Sequence, residues 1–457
     1  MSSHAGSGNR VPIDNVNQLV AHHARGERVR GDWKVGTEHE KFGYAWPSMT
    51  PLAYGSSPGI RAVLDGFAEE PDWVPQVDHG QVIALAGPRG SIALEPGGQI
   101  ELSGQPFKTI HETKVELDEH VASLRRLSAR LGIRWLWIGA QPLHDLDAID
   151  WMPKQRYAVM RAYLPTRGGL ARDMMQMTST VQANLDYADE RDMGEKLQTA
   201  MGISSIVTAM FANSPFRAGR VTGLKSFRAS VWSDTDPDRQ GLLPFVFDGA
   251  LPTYERWAEW ALDVPMFFIV RDDAYVPARG LPFREFWRSG LQGHRATMED
   301  WELHLSTLFP DVRLKTYLEV RTADCVPPEY ICALPALWKG TLYTNDSRAA
   351  AWDLVKRWSL DERWAHRTAV TVDALQAPVP GSKGKTVDLA RELVAIAEAG
   401  LSAQAQAGGH ADEGIHLAPL AALTRSGRSP ADLLLERFAA RKLPLPQFVA
   451  SLATDGG

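Results

Sequence analysis

The segment SIALEPGGQIELSGQ begins at Ser91 and carries two glutamates, Glu95 and Glu101, on either side of a Pro-Gly-Gly turn. Alternating apolar residues on both sides predict a β-hairpin with a three-residue loop, in which Gly97 or Gly98 takes a positive φ. The odd loop length places both glutamates on one face and the apolar side chains on the other. The acidic face is either a solvated surface or part of a functional site.

A second pair of acidic residues follows the same spacing in WKVGTEHEKFGYAW, which begins at Trp33. The alternation predicts a strand with Glu38 and Glu40 on one face. His39 points to the other face, where we expect a packed core histidine rather than a ligand. Two acidic strands of this kind would form a strongly charged surface if they belonged to one sheet.

Two later segments predict further strands with a polar face. MMQMTSTVQANLDY, from Met174 to Tyr187, places Gln182 and Asn184 among amide and hydroxyl side chains on one parity. VRLKTYLEVR, residues 312–321, is predicted to be a single strand. Its polar parity carries Arg313, Lys315, Tyr317, Glu319 and Arg321.

Five glutamates therefore converge if these strands share a sheet. Like charges at close range repel strongly, so such a cluster must bind protons or cations. Oxygen ligands without a cysteine or paired-histidine motif favour Mg²⁺ or Mn²⁺ over zinc. Mg²⁺ on carboxylates beside basic residues is the arrangement that phosphoryl transfer from ATP requires, which indicates ATP-dependent chemistry.

The segment RASVWSDTDPDRQGLLPFVF, from Arg228 to Phe247, is predicted to be a loop with several charged residues. Functional residues concentrate on such loops. Arg228 and Arg239 are each either a surface ion pair or a clamp for an anion. Gly384-Lys385-Thr386 resembles the end of a phosphate-binding loop, but the glycine required five positions earlier is Val379, so we exclude it.

Helices and strands around these segments predict an α+β protein. The apolar spacing of Leu117, Val121, Leu124 and Leu127 predicts a long helix over residues 109–131, packed on the apolar face of the sheet. Trp135 and Trp137, on a predicted strand, are expected in the core. After Ala323 the chain becomes helical, so we place a catalytic domain at residues 1–323 and a helical C-terminal region packed on it at 324–457.

Composition excludes several classes of protein. The chain has 457 residues, of which 44% are hydrophobic and 23% charged, and its net charge is -6. These values predict a globular protein that binds neither nucleic acid nor membranes. MSSHAGSGNR reads as a polar tail, no apolar run approaches the ~18 residues of a membrane span, and we expect a cytoplasmic protein. Cys325 and Cys332 are expected to be buried thiols without a disulfide framework.

The quoted segments together resemble the plant-type and proteobacterial glutamate-cysteine ligase family. The resemblance rests on GTEHEKFGY, ALEPGGQIELSG, MTSTVQANLDY, ANSPF, RASVW with TDPDRQG, and HLSTLFPDVRLKTYLEVRTAD, in this order between Val35 and Asp324. It implies a curved, mainly antiparallel glutamine-synthetase-like sheet with helices on its outer face. It also implies that ATP phosphorylates the γ-carboxylate of glutamate and that the amine of cysteine displaces the phosphate. The product would be γ-glutamylcysteine, made in the first step of glutathione synthesis.

The resemblance also assigns roles to residues of this sequence. The implied metal ligands are Glu38, Glu40, Glu95, Glu101 and Glu319. The implied phosphate and carboxylate contacts are Arg228, Arg239 and Arg321. Gln182, Asn184, Lys315 and Trp232 would bind substrate or ATP, although Trp232 could equally belong to the core. The expected partners are glutamate, cysteine and ATP, and the expected assembly is a monomer or weak homodimer.

Three other functions remain open from the residues alone. A ligase could join glutamate to a different amine, because no residue identifies cysteine as the acceptor. A glycoside hydrolase could use paired carboxylates, although it needs neither ATP nor basic strand residues. The polar face could also bind a ligand or metal without catalysis.

Overall fold

A ten-stranded antiparallel sheet forms the centre of the structure, a computed structural model that describes residues 10–456. The tail predicted for the first ten residues lies outside this range, except for Arg10. The strands of the described residues are β1 (Val35–Ala45), β2 (Thr50–Pro51), β3 (Val74–Asp78), β4 (Gln81–Gly87), β5 (Gly90–Leu94), β6 (Ile100–Ser103), β7 (Ile133–Leu136), β8 (Thr180–Leu185), β9 (Phe216–Arg217), β10 (Arg220–Val221), β11 (Gln240–Gly241), β12 (Phe268–Arg271), β13 (Ala274–Pro277), β14 (Phe309–Pro310), β15 (Val312–Leu314) and β16 (Leu318–Asp324). Strands β1 to β8, β15 and β16 belong to the ten-stranded sheet, and the other six form three two-stranded sheets.

Helices surround this sheet, and most of those after β16 follow one another directly. They are α1 (Val16–Ala24), α2 (Ile60–Ala68), α3 (Ile110–Leu131), α4 (Gln155–Tyr163), α5 (Ala171–Met177), α6 (Glu190–Met210), α7 (Phe227–Val231), α8 (Tyr254–Asp263), α9 (Phe283–Ser289), α10 (Met298–Leu305), α11 (Pro328–Ile331), α12 (Ala333–Leu342), α13 (Asn345–Val355), α14 (Leu360–Asp373), α15 (Thr386–Gly408), α16 (Ala418–Ser426), α17 (Pro430–Arg441) and α18 (Leu445–Ala450). Within residues 10–456 no helix is both long enough and apolar enough to span a bilayer.

Strand β1 lies near the middle of the sheet, whose order is β15-β16-β8-β1-β6-β5-β4-β3. Its first half pairs with β6 and β8, and its second half pairs with β7 and β2. The registers place Glu40 opposite Glu101 and Glu38 opposite Gln182. Because facing residues of an antiparallel pair point to the same side, these polar side chains share one face, as predicted.

The hairpin of β5 and β6 has the predicted three-residue loop. Ile92 pairs with Leu102, and the N–H of Glu95 donates to the carbonyl of Gln99 at 2.8 Å. Gly98 supplies the positive φ, at +85°. The hydrophobic alternation therefore fixed both the register and the face of each side chain.

The apolar face of the sheet packs against α3, as predicted. A capping box at Thr109 begins this helix, and Gly132, in the left-handed conformation, ends it. Leu117 and Leu124 lie in the same apolar cluster as Ile92 of the sheet. Because this apolar face is packed in the core, the opposite, polar face of the sheet is held in a fixed position.

Two strand predictions are wrong in part. Residues Met174 to Met177 belong to α5, and the strand begins only at Thr180. Polar and apolar side chains of this helix are both buried, so the alternation of residue types does not correspond to one buried and one exposed face of a strand. Residues 312–321 form a hairpin of β15 and β16 instead of one strand, with the chain reversing at Lys315, whose N–H donates to the carbonyl of Tyr317.

The helical C-terminal region shares its core with the sheet. Leu334 and Leu393 belong to the same apolar cluster as Val181 and Ala183 of β8. Helices α14 and α16 also lie in this region, which the sequence predicted to be helical. Strand β16 extends to Asp324, one residue beyond the predicted domain boundary, and this boundary remains a prediction.

Substituting Gly98 tests how tightly the hairpin loop is packed. Alanine at this positive φ would be strained, and its Cβ would lie 3.2 Å from the carbonyl oxygen of Leu52. We expect Gly98→Ala to lower the free energy of unfolding by about 3 kcal/mol, from backbone strain and overpacking together. Urea denaturation measures this change.

Gly80→Ala is the matched control. Gly80 has φ +81°, but no atom lies within 4 Å of an added Cβ. It should lose only about 1 kcal/mol, from strain alone. Equal losses at both positions would contradict the tight packing of the hairpin loop.

Candidate active site

Three buried glutamates form a compact cluster on the polar face of the sheet. Glu40 comes from β1, Glu101 from the facing position of β6, and Glu95 from the start of the hairpin loop. One carboxylate oxygen of each lies within 4.8 Å of the others. The cluster follows from the hairpin register, which turns Glu95 and Glu101 to the same side as Glu40.

The electrostatics of this cluster favour a bound cation. Burial and the charges of Glu95 and Glu101 raise the pKa of Glu40 well above its usual range. Burial, Glu101 and Glu319 also raise the pKa of Glu38. A divalent cation would compensate the carboxylates that now hold protons tightly, and an all-oxygen donor set fits Mg²⁺.

Glu38 lies on the same face but outside the three-residue cluster. Its Oε1 accepts a hydrogen bond of 2.8 Å from Nδ2 of Asn184, and the facing residue on β8 is Gln182. The Oδ1 of Asn184 is buried without a hydrogen-bond partner among the described residues. Glu38 and Asn184 thus extend the polar surface from the cluster toward Glu319.

Glu319 is held by basic side chains instead of other carboxylates. Arg313 donates to both of its oxygens, at 2.6 and 2.9 Å, and Arg321 donates at 2.8 Å. Lys315 Nζ lies 3.3 Å away and also bonds the hydroxyl of Tyr317. Burial alone would raise the pKa of Glu319, but these cations outweigh it and hold the pKa well below its usual range. Glu319 is therefore neutralised by basic side chains and lies outside the cluster of Glu40, Glu95 and Glu101.

Two small pockets lie beside the cluster and share three side chains. The lining of the glutamate-side pocket includes Glu40, Glu95 and Gln182. The lining of the arginine pocket includes Asp311 and Arg367. Both pockets are also lined by Arg228, Trp232 and Arg321. These three predicted site residues therefore lie between the acidic cluster and a basic pocket.

The shared side chains carry hydrogen-bond donors for which residues 10–456 provide no acceptor. Nε of Arg228 and the indole N–H of Trp232 are buried without a partner among the described residues. Arg228 Nη2 donates to the carbonyl of Arg321 at 2.9 Å, and Arg321 Nη1 donates to Oε1 of Gln182 at 2.9 Å. Buried donors without partners are costly, so a ligand with acceptor oxygens fits this position.

Arg239 is not brought to the site. Its Nε donates to Asp236 at 2.6 Å, and its other nitrogens donate to the carbonyls of Thr307 and Pro265. It is fully buried and does not line either pocket. The structure thus places Arg239 among protein partners, away from the other two predicted arginines, because its loop folds inward around Asp236.

Two arginines near the site were not predicted from the sequence. Arg367 lies on α14, in the C-terminal region that the sequence predicted to be helical, and pairs with Asp311 at 3.2 Å. Arg156, on α4, is buried, with its Nε and Nη2 lacking partners in the described part of the chain. No sequence pattern distinguishes either residue from a surface arginine, because each shares its helix with a second arginine, Arg363 or Arg161.

The residues expected on the other face occupy the core. Nζ of Lys41 lies 3.2 Å from Nδ1 of His39 and 2.8 Å from Nε2 of His120. Trp135 is fully buried and donates to Ser128. These contacts confirm His39 as a core histidine and Trp135 as a core residue.

The two cysteines are also buried, and neither forms a disulfide. Burial raises the pKa of Cys325 and of Cys332 to about 12. Both are therefore the buried thiols that the sequence predicted.

Comparisons with known proteins identify relatives along almost the whole chain. A family model described as glutamate-cysteine ligase family 2 matches residues 34–449. The chain is 42% identical over 423 residues to glutamate-cysteine ligase A, chloroplastic, of Oryza sativa subsp. indica, covering 92% of this chain and 84% of the relative. It is 40% identical to the chloroplastic glutamate-cysteine ligase of Arabidopsis thaliana, covering 92% and 79%.

A solved structure shows the same fold at much lower identity. The glutamate-cysteine ligase of Francisella tularensis, crystallised in complex with AMP, superposes with a TM-score of 0.52 at 12% identity. The superposition covers 93% of this chain and 88% of that chain. It confirms the predicted fold class, a mainly antiparallel sheet with helices.

One expectation from the sequence is contradicted by the relatives. A cytoplasmic location was expected from the polar first residues and the lack of a long apolar run, whereas the curated relatives are named chloroplastic enzymes. These two features do not distinguish one cellular compartment from another. The enzyme class, in contrast, is confirmed by the same relatives. With a family match over residues 34–449 and 40–42% identity to curated enzymes, the chain belongs to glutamate-cysteine ligase family 2.

Proposed function

We propose that this ligase joins the γ-carboxylate of L-glutamate to the amine of L-cysteine, with ATP converted to ADP and phosphate. The observation that carries this proposal is the three-glutamate cluster beside a pocket with unused arginine and indole donors. An acidic cluster suits a metal-bound nucleotide, and the basic pocket suits a carboxylate substrate. The reaction is the first step of glutathione synthesis.

Activation by ATP is chemically necessary for this bond. A carboxylate resists attack by an amine because oxide is a very poor leaving group. Transfer of the terminal phosphoryl group of ATP to the γ-carboxylate gives γ-glutamyl phosphate and ADP. The amine of cysteine then attacks the acyl carbon, phosphate leaves, and the amine loses a proton, which gives γ-glutamylcysteine.

Glu40, Glu95 and Glu101 are the residues best placed to hold Mg²⁺, and Glu38 and Glu319 remain predicted ligands. When bound, Mg²⁺ supplies positive charge against the phosphate oxygens of ATP. The AMP complex of the Francisella tularensis enzyme, which shares the fold, supports a nucleotide site. The rigid sheet fixes these carboxylates before substrate arrives, which lowers the cost of reorganisation.

Arg228 and Arg321 bind the α-carboxylate of glutamate in this proposal, with Trp232 closing the pocket. Arg321 is held by Glu319 and Gln182, so its guanidinium has a fixed orientation. Nε of Arg228 has no protein acceptor among the described residues and can donate to a substrate oxygen. Gln182 and Asn184 line the path toward the metal ligands. This arrangement directs the γ-carboxylate toward the acidic cluster.

Cysteine is the proposed acceptor because the curated relatives are named for it. A ligase using a different amine is the rival, and it differs only in the acceptor. A glycoside hydrolase is not favoured, since the basic pocket and the buried ion pairs of Glu319 have no role in that reaction. We also propose a monomer or weak homodimer, with the catalytic domain at residues 1–323.

Substrate dependence tests the reaction. We expect ADP to appear only when glutamate, an amine and Mg²⁺ are all present, and cysteine to give the highest kcat/KM among amino acids. A coupled ADP assay with single omissions measures this, and EDTA should abolish turnover. Turnover that persists in EDTA would refute the proposed role of the metal. An amino acid with a higher kcat/KM than cysteine would refute cysteine as the acceptor.

Glu101→Gln tests the acidic cluster. The change removes one charge from a fully buried position while keeping its size, so kcat should fall by at least about 100-fold, with the fold retained. Steady-state kinetics and circular dichroism measure the two effects. Glu116→Gln, on the reverse face, where Glu116 accepts from the N–H of Gln105, is the matched control and should keep normal kcat. Normal activity in Glu101→Gln would show that the cluster is not catalytic.

Binding of Mg²⁺ should release protons. The raised pKa of Glu40 and Glu38 means that these carboxylates hold protons at a pH where ordinary carboxylates do not. Because a metal ligand must be deprotonated, affinity should rise with pH until these groups are ionised in the free protein. Calorimetric titration in two buffers of different ionisation enthalpy measures the protons released. An affinity independent of pH would contradict the raised pKa values.

A further inference from the structure

We infer that Asp324 is a positioning residue that fixes Arg228 at the pocket through two serines. Asp324 is the last residue of β16 and is 1% exposed. It touches neither pocket, so it would act only through the side chains it holds. The inference rests on the carboxylate-binding role proposed for Arg228.

The carboxylate of Asp324 gathers three donors from the chain between α6 and α7. Its Oδ2 accepts from the hydroxyl of Ser214 at 2.6 Å and from the N–H of Asn213 at 2.8 Å. Its Oδ1 accepts from the hydroxyl of Ser226 at 2.8 Å. Both oxygens are therefore used, and both serines are tied to the end of β16.

Each serine passes this constraint to α7. The hydroxyl oxygen of Ser214 accepts from the N–H of Arg228 at 3.1 Å, and that of Ser226 accepts from the N–H of Ala229 at 3.0 Å. A hydroxyl has one hydrogen, and an ionised carboxylate can only accept. The Asp324 carboxylate thus orients both hydroxyls so that their lone pairs face the helix.

Helix α7 depends strongly on these caps because it has only five residues. A helix this short has little bonding of its own, and its position is set by tertiary contacts. Arg228 lies in its first turn, and Nη2 at the other end of the side chain donates to the backbone carbonyl of Arg321. Because the backbone and the tip of Arg228 are both held, Nε, which has no acceptor among the described residues, also has a fixed position at the pocket.

The Asp324 carboxylate is also covered by the backbone of Gly139, and its negative charge acts on Arg228. A Cβ on Gly139 would lie 2.5 Å from Cγ of Asp324, so the backbone of Gly139 covers the carboxylate. Burial lowers the pKa of Arg228, and the negative charge of Asp324 partly offsets this effect. Asp324 is therefore placed to hold Arg228 both in position and in its charged form.

Asp324→Asn tests this inference. The asparagine keeps the shape, but its amide nitrogen must face either Ser226 or both Ser214 and Asn213. In either orientation one serine loses its acceptor, and α7 loses one fixed cap. We expect KM for glutamate to rise roughly three- to tenfold at saturating ATP, cysteine and Mg²⁺, with a smaller change in kcat. An unchanged KM overturns the inference.

Asp300→Asn is the matched control for a purely structural effect. Asp300 is 3% exposed and accepts from the N–H and hydroxyl of Thr297 at 2.9 and 2.8 Å, while pairing with Arg271. It caps α10 and does not line either pocket. This variant should lose stability on urea denaturation without a change in KM. A matching rise in KM for glutamate in Asp300→Asn would overturn the specific role of Asp324.

A double-variant cycle shows whether Asp324 acts through Arg228. Arg228→Lys should raise KM for glutamate, and adding Asp324→Asn should raise it no further. If the two substitutions raise KM for glutamate independently, so that their fold-changes multiply in the double variant, the inference is overturned but the role of Arg228 is not. An unchanged KM in Arg228→Lys overturns the proposed role of Arg228 itself.

Ser214→Ala provides a second route if Asp324→Asn does not fold. It removes the acceptor of the Arg228 N–H and leaves the bond from Asn213 and the cap at Ser226 in place. We expect the same rise in KM for glutamate, again absent in the Arg228→Lys background. A normal KM in Ser214→Ala overturns the inference.

Discussion

The close burial of several carboxylates is the constraint on which the rest of the structure depends. Oxygens of Glu40, Glu95 and Glu101 lie within 4.8 Å of one another. At the intermediate dielectric of a protein, two such charges repel by about 3–4 kcal/mol. Protonation of Glu40, whose pKa is raised well above its usual range, removes part of this repulsion, while the hydrogen-bonded ladder and the apolar core behind it hold the strands in register. A divalent cation at this position would take the place of that proton.

The period of two along β1 separates the chemistry from the core. Glu38 and Glu40 face the site, while His39 and Lys41 point into the protein. Burial lowers the pKa of Lys41 to about 7, and its ammonium group is shared with two histidines. A shift of one residue in the pairing would exchange these sets and bury the acidic side in the core. The register of β1 with β6 and β8 is thus a condition of both stability and function.

The sequence predicted the strands better than the arrangement of charges between them. Alternation was sufficient for the hairpin because one face is fully apolar, and it located Glu95 and Glu101 correctly. It failed for α5, where both faces are buried, and it did not detect the chain reversal at Lys315. An odd number of residues in that reversal preserved the face of Glu319, so the error did not affect the predicted site.

The sequence did not indicate which arginines bond to other parts of the protein and which line the pockets. Arg228 and Arg239 both lie in the segment that the sequence predicted to be a charged loop, yet Arg228, on α7, lines the pockets, whereas Arg239 donates to Asp236 and two carbonyls. Local sequence cannot distinguish them, because the acceptors of Arg239 include Pro265 and Thr307, far along the chain. Arg367 arrives from α14 for the same reason. Which arginine remains available for a ligand is decided by long-range acceptors, not by the motif around it.

The two ends of the site carry opposite charge, and Arg321 connects them. The cluster around Glu40 is acidic, whereas the arginine pocket holds three arginines against Asp311. Arg321 is neutralised by Glu319 on one side and lines both pockets on the other. A dicarboxylate such as glutamate can bind across this gradient only if its second carboxylate meets a cation at the acidic end. Under the proposed function, binding of glutamate would therefore be coupled to binding of the metal.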